Sequence, residues 1–117
     1  RNSAKVVLRL VGGGICIEEI AQILYFESNG HILQVHLADG TVLETRKSGQ
    51  EMKDALDKIA PGQFASPNKG YIVNLAAVHM IKSDYVEIAG QELPLGKRKY
   101  RDFQELYFQF MFTAKQM

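Results

Sequence analysis

Ile23-Leu24-Tyr25-Phe26-Glu27-Ser28-Asn29-Gly30-His31-Ile32-Leu33-Gln34-Val35-His36-Leu37-Ala38-Asp39-Gly40-Thr41-Val42-Leu43-Glu44-Thr45 is the stretch that decides the fold. Its first run, residues 23–28, is rich in strand formers. Asn29-Gly30 follows between two apolar runs, the strongest short-range hairpin signal, because both residues tolerate positive φ. The returning strand, residues 31–38, places Leu33, Val35 and Leu37 on one side and Ile32, Gln34, His36 and Ala38 on the other. Asp39-Gly40 makes a second such turn into residues 41–45. Two consecutive hairpins predict an antiparallel meander.

Short strands and turn residues continue on both sides of it. Upstream, residues 5–11 (KVVLRLV) alternate in part and close on the flexible turn Gly12-Gly13-Gly14. Gly14-Ile15-Cys16-Ile17 is a short apolar run, and residues 18–22 read as one helical turn. Downstream, Ser48 is a good helix cap with Glu51 three residues on, the spacing at which each side chain satisfies the other's orphaned backbone donor. Met52, Ala55, Leu56 and Ile59 form an apolar stripe at helical spacing, which Pro61-Gly62 stops. Residues 63–70 (QFASPNKG) read as a polar loop. Strands are expected over 71–74, 78–82, 85–89 and 92–95. From Lys97 onward, Tyr100, Phe103, Leu106, Tyr107, Phe110 and Met111 recur at three and four residues, an amphipathic helix. The fold class is therefore mostly β: antiparallel strands in small packed sheets, one mid-chain helix and a C-terminal helix. Tyr25, Phe26, Leu33, Val35, Leu56, Ile72 and Val73 are the expected core.

Size and composition narrow the function. The 117 residues suit one domain (residues 1–117), able to bury roughly two-thirds of its unfolded surface. Hydrophobic content of 46% and charged content of 23% exclude a disordered tail or a collagen-like chain. The longest apolar runs fall far short of the ~20 residues of a membrane span, and no signal-peptide stretch opens the chain. No membrane partner is expected. The absence of an initial Met suggests a domain cut from a longer protein. A lone Cys16 cannot form an internal disulfide and suits a cytoplasmic location. His31, His36 and His79 lack metal-ligand spacing, so no cofactor is expected.

Catalytic motifs are thin. Nucleophile-elbow, phosphate-loop and zinc-protease patterns are absent, and Gly12-Gly13-Gly14 is too compact for a dinucleotide fingerprint. Cys16, between Ile15 and Ile17, reads as a half-buried strand position rather than a nucleophile. An enzyme is not expected. Net charge is only +1, from 14 Lys and Arg against 13 Asp and Glu, so any polyanion binding must come from local clustering. Lys97-Arg98-Lys99 with Arg101 is the one dense positive cluster. It sits where the last strand gives way to a helix, a position the helix dipole makes slightly unfavourable for cations. His31 falls at a hairpin rim, where an imidazole offers a donor and an acceptor to a base edge. Lys69 lies in another polar loop, after Asn68. Loop insertion into successive grooves requires these three loops to meet on one side of the fold.

The order of these blocks resembles the LytTR DNA-binding domain family. Residues 20–31 (IAQILYFESNGH) are similar to its opening I-x-x-I-x-[YF]-[IF]-E stretch and hairpin. Phe64 with Tyr71-Ile72-Val73-Asn74 resembles its F-x-R-x-H-[RK]-S-[YF]-[IVL]-V-N motif. Residues 92–100 (ELPLGKRKY) resemble its L-P-V-S-R-R-x-Y segment. The match runs over roughly residues 5–108, in order and spacing.

That resemblance implies the output domain of LytR/AlgR-type response regulators, acting on double-stranded DNA at promoter direct repeats. It implies an upstream receiver domain, a cognate histidine kinase and a homodimer on DNA. Carried over by position, His31 corresponds to the base-contacting histidine, Lys69 to the recognition position of the middle motif, and Lys97, with Arg98 beside it, to the basic residue of the end motif; Asn29 and Lys99 are expected to join them at the DNA. Asn68 stands where the family usually has His. Ser66 and Gly70 replace the middle motif's Arg and Ser, and Gly96 replaces a Ser, which removes phosphate contacts. Glu27, Tyr71 and Asn74 are expected to brace loops. The alternative reading is a protein-interaction module of the same fold with weakened DNA affinity, docking through the stripe Phe103, Tyr107 and Phe110.

Overall fold

The expected meander forms three strands of a five-stranded antiparallel sheet in the computed structural model, which describes residues 4–116. Strands β1 (Lys5–Arg9) and β2 (Ile15–Glu19) pair with each other, and a 3₁₀ turn over Ile20–Gln22 leads into β3 (Ile23–Asn29). Strands β4 (Ile32–Leu37) and β5 (Val42–Thr45) complete the meander, and helix α1 covers Gly49–Ile59. Next come β6 (Phe64–Ala65), β7 (Tyr71–Asn74), a 3₁₀ turn over Leu75–Ala77, β8 (Met80–Ile81), β9 (Tyr85–Ile88), β10 (Gln91–Pro94) and helix α2 (Tyr100–Gln116). The central sheet runs β5-β4-β3-β7-β6, and a second sheet runs β10-β9-β8.

Alternation along the central strands gives the sheet two buried faces. Phe26, Leu33, Val35, Leu37 and Ile72 pack on one face against Met52 and Leu56 of α1 and Val6 and Leu8 of β1. Tyr25, Ala65 and Val73 pack on the other face against Val86, Ile88 and Leu93 of the second sheet and Phe103 of α2. All seven expected core residues are buried. The α1 capping box forms in full: Glu51 N–H donates to Ser48 Oγ at 3.1 Å and Ser48 N–H donates to Glu51 Oε1 at 2.9 Å. The Ser48 amide also holds the Glu51 carboxyl below its ordinary range.

Three readings of the sequence need correction. Glu18 and Glu19 belong to β2 rather than to a helical turn, because β1 pairs with them through Val6 and Lys5. Residues 63–70 are not wholly a polar loop: Phe64 and Ala65 are buried and pair with Asn74 and Val73 as a sixth strand. Two residues are too few for period two to declare itself. The first hairpin turn is centred on Gly30-His31, since Asn29 pairs with Ile32 as the last rung of the ladder. Gly30 takes φ of 65° there, the left-handed conformation its missing Cβ permits.

Buried polar groups hold the core layers in register. Asn74 is 1% exposed; its Nδ2 donates to the carbonyls of Ile23 at 2.8 Å and Ile20 at 3.3 Å. Its Oδ1 accepts from Gln63 Nε2 at 3.1 Å and Ala76 N–H at 3.0 Å. All its amide hydrogen-bonding capacity is thus spent inside the fold, which makes it a brace, as expected.

Candidate nucleic-acid interface

Three loops meet at one edge of the central sheet. Ser28 N–H, at the end of β3, donates to Gly70 O at 2.9 Å, which fixes the 66–70 loop against the first hairpin. Gly96 N–H donates to Pro67 O at 2.8 Å, which fixes the segment after β10 against the same loop. Asn68 closes the arrangement: its Nδ2 donates to Pro94 O and its Oδ1 accepts from Gly70 N–H at 2.7 Å. A Cβ on Gly70 would come within 3.3 Å of that Oδ1, so Asn68 and Gly70 fit each other as a pair.

The expected site residues occupy this edge in different ways. His31 is exposed in the turn itself and lines an open groove of about 510 Å³ with Ser28, Arg46, Lys47 and Gly49. Lys69 and Lys99 line an adjoining groove of about 270 Å³ with Ser66, Asn68 and Lys53. The two grooves share Ser28, Leu33 and Gly49 and so run into one another. Lys97 and Arg98 are exposed in the turn that joins β10 to α2, outside both groove walls. Arg98 holds φ of 65°, a left-handed backbone unusual for a residue with a side chain, and Lys99 N–H donates to Gly96 O at 3.0 Å beside it. Asn29 is exposed at the last rung of the hairpin. The Asn68 amide is engaged within the protein, so this residue positions Lys69.

Electrostatics favour an anion along this edge. Among the described residues, none of Lys69, Lys97, Arg98, Lys99, Arg46 and Lys47 joins an ion pair, whereas Lys53 bonds Asp57 at 2.9 Å. Sequence reasoning did not single out Arg46 and Lys47, which line the His31 groove, or Lys53, which lines the Lys69 groove. The available signal was Arg46-Lys47 directly ahead of the helix cap Ser48, because a helix N-terminus adds partial positive charge to neighbouring cations.

Glu27 ties the strands behind the interface. Its Oε1 bonds His36 Nε2 at 3.0 Å and its Oε2 accepts from Tyr71 O–H at 3.2 Å, while His36 stacks on Tyr25 with ring centroids 4.2 Å apart. Burial first, then the Glu27 charge, pushes the Tyr71 hydroxyl above its ordinary pKa. The Cys16 thiol donates to Glu18 Oε2 at 3.2 Å, and that bond with partial desolvation pushes it up, the opposite of nucleophile activation. Among the described residues, no cluster of His, Cys, Asp or Glu is arranged to hold a metal ion, and no helix is long and apolar enough to cross a membrane.

The structure is a mostly β scaffold that presents cations without ion-pair partners among the described residues, and a rim histidine, on converging loops. Comparison with known proteins supplies the family. The LytTr DNA-binding domain model matches residues 13–108, and the chain belongs to that family. Its biochemical class is therefore DNA binding in transcription regulation, and the family is not one of enzymes. The fold is also similar to a solved LytTr DNA-binding domain, that of a protein described as a methyl-accepting/DNA response regulator from Bacillus cereus. The TM-score is 0.70 at 20% identity, over 90% of this chain and 97% of that one. A search of the curated proteins finds no match.

Proposed function

We propose that this domain reads specific promoter sequences as the output domain of a bacterial response regulator. The observation that carries the reading is the hydrogen-bonded convergence of the Ser28, Pro67–Gly70 and Pro94–Gly96 segments, which sets His31, Lys69 and Lys99 along continuous grooves. His31 meets base edges in one major groove, and Lys97 with Arg98 enters the next. Lys69 and Lys99 neutralise phosphates between them, with Asn29 at the hairpin rim. A receiver domain ahead of it in a longer cytoplasmic protein, answered by a histidine kinase, would set occupancy of direct repeats, with two copies side by side on DNA. The interaction-module reading loses its docking stripe: Phe103 is 2% exposed, and Tyr107 and Phe110 pack against the second core.

Fluorescence anisotropy with pooled promoter duplexes across a salt series tests the proposal. Log affinity should fall linearly with log salt. His31→Ala should reduce discrimination between sequences by about 1–3 kcal/mol. Binding that is absent at low ionic strength, or unchanged in preference by His31→Ala, refutes base reading by this loop.

A further inference from the structure

The cationic surface does not stop at His31. Arg46 and Lys47, which flank the His31 groove, also line a second hollow of about 290 Å³ on their far side, together with Arg9 and Gly12. This hollow is built by tertiary contacts: Val11 N–H donates to Glu44 O at 2.9 Å, and Leu10 bridges Thr45, which clamps the end of β1 onto β5. The clamp brings Arg9 beside two residues 37 and 38 positions later in the chain. All three cations are exposed, and among the described residues none has an ion-pair partner. Two carboxylates belong to the surroundings. Glu51 lines the hollow with its carboxylate held by the Ser48 amide and drawn to Lys47, and Glu44 accepts from Gln34 Nε2 at 3.3 Å, so the three cations outnumber the two carboxylates around them. The Gly12-Gly13-Gly14 turn beside them has open space where a Cβ would stand at each position, leaving room for a sugar–phosphate chain to approach.

From this geometry we infer that Arg9, Arg46 and Lys47 form a sequence-independent phosphate seat that carries the footprint beyond the His31 loop onto the flanking duplex backbone. The inference rests on the DNA-reading function proposed above and adds a surface to it. Arg9 lies ahead of residues 13–108 that match the family model, whereas Arg46 and Lys47 lie within them. The chemistry is that of a polyanion rail. Two guanidinium groups offer bidentate donors to phosphate oxygens and Lys47 adds a point charge, with no group positioned to read a base.

The test compares Arg9→Ala, Arg46→Ala and Lys47→Ala with Lys58→Ala, which removes one exposed charge at the opposite end of α1. Each is titrated with selective and non-selective duplexes over a salt series, with circular dichroism confirming the fold. Each of the three should weaken every duplex by the same factor and lower the salt slope by about 0.9, with the ranking of sequences unchanged. The Lys58→Ala slope should match the parent. Trimming the duplex on the side flanking the His31 contact should abolish the difference between the parent and each of these three variants. If the parent binds and the three variants behave like Lys58→Ala, or if they reorder sequence preference, the phosphate seat is overturned and the DNA-reading function stands. If the parent shows no salt-dependent binding, the DNA-reading function itself fails and takes the seat with it.

Discussion

Asn68 shows how one side chain can join two loops of the proposed interface through bonds spent inside the fold. Its amide bonds Pro94 O on one side and Gly70 N–H on the other, so a single residue joins the middle loop to the strand that precedes the basic cluster. Sequence reasoning put Asn68 in the DNA-binding set, on the family position usually held by His. That it is spoken for internally depends on Pro94, 26 residues away, and no local pattern reports such a partner. Asn68→Ala removes both bonds, each worth about 1 kcal/mol net at a partly exposed site. A urea titration should show a loss of about 1–2 kcal/mol. DNA affinity should fall as well, because Lys69 and the 94–96 segment lose their common tether. Unchanged affinity at reduced stability would mean that Asn68 holds the fold without setting the loop.

Among the elements, those with a long period or a complete cap were legible. The meander could be read because Leu33, Val35 and Leu37 alternate over enough positions to fix a face, and helix α1 because Ser48 and Glu51 announce its start. Strand β6 was hidden. Phe64 and Ala65 point to opposite faces of the central sheet, one into each core, and a polar neighbourhood of Gln63, Ser66 and Asn68 masks them. The register of the first hairpin was also missed by one residue, since Asn29 could be either a turn residue or the last rung. Its pairing with Ile32 makes it the rung, and His31 then projects from the turn. Strand β6 carries more energy than its length suggests. Phe64 is 3% exposed and lies against Phe26 with ring centroids 6.0 Å apart. Phe64→Ala should cost about 3–5 kcal/mol from lost burial and the cavity left behind, measurable as a drop in melting temperature. A loss below about 1 kcal/mol, the level of an ordinary surface change, would show that 63–65 is a loop after all.

At the scale of the whole molecule, the two cores share one sheet, and the interface is assembled from both. The His31 turn and Arg46-Lys47 hang from strands packed on the α1 side, while Lys97, Arg98 and Lys99 follow a strand packed on the α2 side. Phe26 faces the first core and its neighbour Tyr25 the second, so neither layer can separate without exposing the back of the other. The cores should therefore unfold together. Leu56→Ala empties a fully buried site in the first core and Leu93→Ala a 4% exposed site in the second; each should cost about 2–5 kcal/mol. In either variant, urea unfolding followed by far-ultraviolet circular dichroism and by tyrosine fluorescence should give coincident transitions. Tyr25 and Tyr107 report on the second core, so separated transitions in Leu93→Ala would reveal two independently melting halves. Coincident transitions would mean that the loops gathered at the sheet edge stand on one cooperative scaffold. The DNA contact proposed for His31 and Lys97 demands that arrangement, because a loop edge that melted in halves could not hold the two residues at a fixed separation.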